Sequence, residues 1–245
     1  MYAPGIDAAM VERLGLPDDI FHTSVNFTGC NAAFPALKIA DMISKTEEDA
    51  KVLVVCVELC TLHFQPKNNH DNLLSNTIFG DGAAAVLFVS DAFAGDHHLK
   101  GLSVNGFYSS LFHEGKHLMG LNITPVNFEM ILNAKVPSFI GTKINGFITR
   151  AALKLDIEPA NIGKWAVHPG GRKILEVVKE KLSLTDEDLA NSYQVLSDYG
   201  NMSSPTILFI LSRILDCSLT PNEKVFAIGF GPGISVDSVL FSYAE

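Results

Sequence analysis

Residues 21–43 read Phe-His-Thr-Ser-Val-Asn-Phe-Thr-Gly-Cys-Asn-Ala-Ala-Phe-Pro-Ala-Leu-Lys-Ile-Ala-Asp-Met-Ile, and the Gly29-Cys30 step divides them into two periodicities. Phe21 to Phe27 alternates in the manner of a buried strand. Ala32 to Ile43 carries apolar residues at helical spacing, with Pro35 in the first turn, where a proline is tolerated. Cys30 is thereby predicted at a strand-to-helix junction. The apolar run Lys51 to Cys56 follows as a strand.

The same style continues outward. Asp7 to Leu16 is predicted as a short helix, Asp71 to Ile78 as another, and Ala83 to Val89 as a fully apolar strand. Leu99 to Phe107 and Leu118 to Ile123 read as strands, and Phe128 to Leu155 as one long helix or two joined near Pro137 and Gly141. The second half gives strand Lys164 to Val167, helix Gly171 to Lys181, strand Tyr193 to Leu196 and helix Ser203 to Leu215. Strands Val225 to Phe230 and Ser235 to Tyr243 close the chain. Strands alternating with helices predict an α/β layered fold, divided near its midpoint into residues 1–127 and 128–245.

With 245 residues, 47% of them hydrophobic, the chain has enough apolar material for one large core or two fused ones. Its longest apolar runs, such as Val52 to Val57, stop far short of the ~20 residues a membrane-spanning helix needs. Met1-Tyr2-Ala3-Pro4-Gly5 does not read as a secretory leader. The cysteines at 30, 56, 60 and 217 form no Cys-x-x-Cys pair, so free thiols in a reducing cytoplasm are expected, with no structural zinc. A net charge of -9 disfavours nucleic acid as a partner. An anionic ligand would need a local basic patch, and the stretch from Lys164 through Arg172, Lys173, Lys179 and Lys181 offers one unless those charges only solvate a helix.

Three segments carry residue types suited to thioester chemistry: Thr28-Gly29-Cys30, His168-Pro169-Gly170-Gly171 and Gly200-Asn201-Met202-Ser203-Ser204. A helix start lowers a cysteine pKa, an imidazole holds or takes its proton, and an amide donates to a developing oxyanion. Each has an ordinary reading when taken singly. Cys30 suits a buried core position, His168 a turn cap at a strand end, and Asn201 a helix cap. Neither Phe79-Gly80-Asp81-Gly82 nor Gly229-Phe230-Gly231-Pro232-Gly233 matches a phosphate-binding or dinucleotide-binding loop. His63, Cys56 and Cys60 lie near a strand end, and His97-His98 has no partner motif for a metal.

At Gly29-Cys30, Leu53 to Glu58, Phe79-Gly80-Asp81-Gly82-Ala83-Ala84-Ala85, Trp165 to Gly171, Ser197 to Ser204 and Gly229 to Gly233 the chain resembles the chalcone synthase family, the type III polyketide synthases. The resemblance implies a thiolase-like layered αβαβα fold. It implies an acyltransferase in which Cys30 carries the acyl chain as a thiolate paired with protonated His168, while His168 and Asn201 promote malonyl decarboxylation. Phe79 matches a gatekeeper phenylalanine, Phe128 falls near a second, and His63, Ser203, Gly170 and Gly171 are implied at the substrate cavity. Acyl-coenzyme A and malonyl-coenzyme A are the implied substrates, with no metal or other cofactor and a homodimer as the assembly. Tyr2-Ala3-Pro4-Gly5-Ile6-Asp7 resembles a segment well inside the family's first half, so the N-terminal half is expected to be incomplete.

Other readings stay open. β-Ketoacyl-acyl carrier protein synthase III shares the fold and the Cys-His-Asn set, although Pro-Gly-Gly after His168 and Met-Ser-Ser after Asn201 look like the polyketide synthases. A papain-like hydrolase also uses Cys, His and Asn, but Cys30 lacks the Cys-x-x-Cys-Trp neighbourhood. A non-catalytic fragment or partner protein is the remaining alternative.

Overall fold

The structure, a computed structural model, describes residues 5–64, 70–123 and 128–245. Helix α1 (Ile6–Leu14) buries none of its residues and stops at Gly15, whose left-handed φ of 62° suits a glycine C-cap. The chain then runs irregularly to the 3₁₀ turn Gly29–Asn31, which feeds α2 (Ala33–Thr46). The strand expected over residues 21–27 does not form, and Phe21 is 75% exposed. Alternation alone does not hold a strand; it needs a neighbour for its ladder. The stripe Ala33, Phe34, Leu37 and Ala40 buries one side of α2, as its spacing predicts.

Strand β1 (Lys51–Glu58), helix α3 (His70–Ile78) and strand β2 (Gly82–Val89) follow, with β1 and β2 antiparallel from Lys51 opposite Val89 to Glu58 opposite Gly82. The Ser90 hydroxyl accepts from the Phe93 N–H at 3.1 Å and caps α4 (Asp91–Asp96), a helix the sequence reading had not included. Strands β3 (Gly101–Leu111), β4 (Met119–Ile123) and β5 (Phe128–Leu132) precede α5 (Val136–Leu155). Residues 128–132 were expected in a helix. They pair instead with β4, and the helix begins only where Pro137 occupies its first turn.

The chain ends with β6 (Ile162–Val167), α6 (Arg172–Leu182), α7 (Ala190–Tyr199), α8 (Pro205–Leu215), β7 (Lys224–Gly231) and β8 (Ser235–Ala244). The strand expected at Tyr193 to Leu196 lies inside α7. Leu189, Ser192 and Val195 are buried at intervals of three, and the Ser192 hydroxyl accepts the Val167 N–H at 3.1 Å. Helical burial on β6 outweighs the local alternation.

Four strands form one sheet in the order β3-β8-β7-β6, with only β6 and β7 parallel. Because side chains alternate along a strand, this sheet packs on two faces. Trp165, Val167, Phe226, Ile228 and Leu240 meet Ile144, Phe147, Leu175 and Val178 of α5 and α6. Ala166, Val225, Ala227, Val239 and Phe241 meet Phe34, Leu37, Ile207, Ile210 and Ile214 of α2 and α8. The far side of α2 and α8 packs on Val54 and Cys56 of β1. The layers are therefore helix, sheet, helix, sheet. On the outer face of the β1–β2 pair Leu53 and Leu87, opposite each other in register, are 44% and 57% exposed, so no fifth layer covers it among the described residues.

The order Cys30, α2, β1, β2 recurs as Asn201, α8, β7, β8, a βα repeat that places the two marked junctions at the starts of the two central helices. Strand β3, which precedes residue 128, already belongs to the second sheet.

Exchanging the exposed pair for charges, Leu53→Lys with Leu87→Glu, should leave the urea midpoint of unfolding within about 1 kcal/mol of its starting stability and lower binding of a hydrophobic dye. Leu37→Ala on the buried side of α2 should cost about 2–5 kcal/mol in the same measurement.

Candidate active site

Cys30 is the middle residue of the 3₁₀ turn, held by one internal hydrogen bond from Ala32 N–H to Gly29 C=O at 2.9 Å. Gly29 has φ 69°, and a Cβ there would lie 2.5 Å from Pro232 Cδ, so only glycine satisfies both the left-handed backbone and the close approach. The turn thus leans on the β7–β8 connection. Cys30 stands just ahead of the 14-residue helix α2, whose first turn carries free N–H groups and the positive end of the helix dipole.

Asn201 is tied at its backbone between Ile78 and Gly80: its N–H donates to Ile78 C=O at 2.9 Å, and its C=O accepts from Gly80 N–H at 3.0 Å. Its side-chain oxygen accepts from Ser203 N–H at 2.8 Å, which fixes the amide's orientation. The side chains of Ser203 and Asn201 lie close enough to the Cys30 thiol to act on its charge state. Residues separated by some 170 positions are thus brought together because the repeat packs α2 against α8.

His168 ends β6, its N–H bonded to Ile228 C=O at 2.9 Å. It is completely buried, and neither ring nitrogen has a hydrogen-bond partner among the described residues. An unsatisfied buried polar group costs roughly 1–3 kcal/mol. That cost attaches to a residue a packed turn has no need of, which marks His168 as more than a cap.

Burial dominates the charge states. It pushes the Cys30 thiol up to about 11, helped by the Glu58 carboxylate and opposed by the hydrogen bonds from Ser203 and Asn201. Burial likewise pushes His168 down to about 4. Burial therefore works against the thiolate–imidazolium pair expected from the resemblance, favouring the neutral thiol and the neutral imidazole. Cys56 and Cys60 are also raised by burial, to about 11 and about 12.

Glu58, at the end of an otherwise apolar strand, accepts from Ser204 Oγ at 2.8 Å and Ser203 Oγ at 3.2 Å. The sequence reading gave it no role; a carboxylate closing the apolar run Val52 to Val57 was the available signal.

A cavity of about 1620 Å³ begins at Cys30 and runs along the outer face of β1 beneath α1 and the irregular stretch that follows it. Phe79 and Ser203 stand on its wall, and so do Met119 of β4 and Met130 of β5. Gly170 and Gly171, expected at the substrate, are not among its described lining residues. They turn the chain from His168 into α6, with Gly171 as the N-cap, and a Cβ on Gly171 would meet Ile78 at 3.5 Å. The side chains of His63 and Phe128 lie outside the described residues.

The basic stretch spends its charge locally. Arg172 pairs with Glu176 at 2.9 Å, Lys179 with Asp186 at 2.6 Å, Lys181 with Glu180 at 2.8 Å, and Lys164 approaches Glu223 at 4.0 Å. These are exposed pairs of a solvated surface. Among the described residues no group of three His, Cys, Asp or Glu side chains is arranged for a metal ion, and no helix is long and apolar enough to cross a membrane.

The sequence patterns of the family described as "Chalcone and stilbene synthases" match this chain twice, the N-terminal domain over residues 1–92 and the C-terminal domain over 108–243. Polyketide synthase 37 of Dictyostelium discoideum is 33% identical over 248 residues, covering 98% of this chain and 8% of that protein. Alpha-pyrone synthesis polyketide synthase-like Pks18 of Mycobacterium tuberculosis is 31% identical over 243 residues, covering 98% of this chain and 61% of that protein. The chain therefore spans less than two thirds of the curated relatives it matches. PKS-I of the brown alga Ectocarpus siliculosus superposes with a TM-score of 0.92 at 27% identity, over the whole chain and 66% of that structure. The 1,3,6,8-tetrahydroxynaphthalene synthase of Streptomyces coelicolor gives 0.92 at 23% identity over 69% of its length, which speaks for the thiolase-like fold alone.

Iodoacetamide alkylation of Cys30, located by peptide mass, should accelerate about tenfold per pH unit from pH 7 to 10, because only the thiolate reacts. A plateau below pH 8 would contradict the buried, protonated thiol. The His168 imidazole should titrate near pH 4 by NMR.

Proposed function

The chain belongs to the chalcone and stilbene synthase family, and from that premise we propose that it is a type III polyketide synthase acting by decarboxylative Claisen condensation. The observation that carries the reading is the placing of Cys30 and Ser203 together on the wall of a large cavity, with the Asn201 and Ser203 side chains acting on the Cys30 thiol.

With both groups neutral, His168 serves as a general base. As the Cys30 sulfur attacks the carbonyl of an acyl-coenzyme A, its proton passes to the imidazole and then to the departing coenzyme A thiolate. The products are acyl-Cys30 and free coenzyme A. Malonyl-coenzyme A next loses carbon dioxide, and the electron pair released forms an enolate whose oxygen takes hydrogen bonds from the Asn201 amide and from His168. The enolate carbon attacks the acyl-Cys30 carbonyl, a carbon–carbon bond forms, and the bond to Cys30 sulfur breaks. The β-ketoacyl product leaves as its coenzyme A thioester, and further rounds with ring closure give a pyrone or a phenol. This sequence balances without a metal or redox cofactor.

The cavity's apolar wall suits an apolar acyl group. A cytoplasmic homodimer is the assembly the family resemblance favours. One observation favours a second reading: the open outer face of β1–β2 suits a chain that turns over only when that face is covered.

Intact-protein mass after incubation with a panel of acyl-coenzyme A thioesters tests the proposal. An acyl adduct is expected on the unsubstituted protein, is absent from Cys30→Ala, and is consumed when malonyl-coenzyme A is added. Asn201→Ala should slow malonyl decarboxylation roughly 10²–10³-fold while leaving acyl loading within about tenfold. Equal loss in both steps would remove the oxyanion role. No adduct on well-folded protein would favour the second reading.

A further inference from the structure

The residue after Cys30 is an asparagine only 2% exposed, and its side chain bridges the two halves of the chain. Asn31 Nδ2 donates to the Asp237 carboxylate and, at 3.0 Å, to the Ser235 hydroxyl, both on β8. Asp237 shares the face of β8 that carries Val239 and Phe241, the face turned toward α2. Gly231 leaves room for the amide, since a Cβ there would collide with Asn31 Oδ1. Asp237 is itself half-buried; burial pushes its carboxyl up, while the side chains of Ser109 and Asn31 and the charge of Lys38, exposed on α2, act to hold it down.

A carboxylate kept inside the protein needs a purpose or a partner. Here the residue bonded to the nucleophile donates to it directly. The turn Gly29–Asn31 has one internal hydrogen bond and no side-chain cap, so its orientation is imposed from outside, by Pro232 against Gly29 and by β8 against Asn31. A hydrogen bond to an ionised acceptor is stronger and more directional than one between neutral groups.

We propose that Asn31 and Asp237 are a positioning pair that holds the Cys30 sulfur beside the Asn201 and Ser203 side chains. The inference rests on the reading of Cys30 as nucleophile, but its test does not require turnover. The asparagine clamps the turn from one side, the carboxylate anchors it to the second sheet, and together they keep the two side chains of the distant junction beside the sulfur. Loss of the clamp swings the sulfur away from those side chains, and the thiolate loses the interactions that oppose its burial.

The probe is iodoacetamide at fixed pH, with alkylation of Cys30 read by peptide mass against exposed Cys217 in the same molecule. Asn31→Asp, which sets two carboxylates against each other, should slow Cys30 relative to Cys217 roughly tenfold. Combining Asn31→Asp with Asp237→Asn restores one amide and one carboxylate across the contact, and should return the ratio to within about threefold of the unsubstituted protein. An unchanged ratio in Asn31→Asp, a rise, or equal ratios in the single and double variants would overturn the proposal. Should Asn31→Asp not fold, Asp237→Asn carries the test: it keeps an acceptor oxygen without the charge, and roughly a threefold slowing is expected, no slowing being the contrary result. Acyl loading supplies the second readout, with a lowered limiting rate and an unchanged half-saturating acyl-coenzyme A concentration expected for Asn31→Asp. Failure of acyl loading on the unsubstituted protein would count against the synthase reading and leave the alkylation result standing.

Discussion

Everything at this site depends on how closely two turns approach. Gly29 sits against the Pro232 ring, and Gly231 sits against the Asn31 amide, so the turn bearing Cys30 and the turn closing β7 onto β8 interlock, each glycine receiving a side chain of the other turn. That contact joins the start of α2 to the second sheet. It also sets the height of Cys30 relative to α8, whose start carries Asn201 and Ser203. A larger residue at either glycine would separate the turns and, with them, the two sets of functional groups.

The layers behind the contact are what make it rigid. In β6, β7 and β8 successive residues point to α5 and α6 on one side and to α2 and α8 on the other, so each strand is gripped twice. His168 leaves β6 from this two-sided core, which is why it is buried and why neither ring nitrogen finds a partner among the described residues. The β1–β2 pair is gripped once. Its inner residues Val54 and Cys56 are buried, while Leu53 and Leu87 face the cavity side, and the wall of the cavity is correspondingly open and apolar. Dense packing thus concentrates on the His168 and Asn201 side, and openness on the outer face of β1–β2.

Electrostatically the site disfavours charge. Burial favours the neutral forms of Cys30 and His168, and the Glu58 carboxylate, which adds to the effect on Cys30, is engaged by Ser203 and Ser204. The side chains of Ser203 and Asn201 act the other way, favouring the thiolate.

Local chemistry made much of this legible in the sequence. The apolar spacing of α2, the continuous apolar runs of β1, β2 and β7, and the glycines beside Cys30, His168 and Asn201 are properties of short segments, and short segments dictated them. Three segments misled for one reason: residues 21–27, 128–132 and 193–196 carry patterns that suit more than one state, and the neighbour that decides is far away in sequence. Strand β4 draws 128–132 into a ladder, β6 draws 193–196 into a helix through Ser192, and 21–27 finds no ladder. The pairing of Asn31 with Asp237, the seating of Glu58 under two serines and the use of Met130 as cavity wall left no local signature at all, because each is a contact across the repeat. The sequence by itself determined which residues were chemically equipped to act. Only the tertiary structure decided that Cys30, Asn201 and Ser203 come together and that burial pushes the thiol up, since distance and desolvation belong to the packed chain and not to any stretch of it.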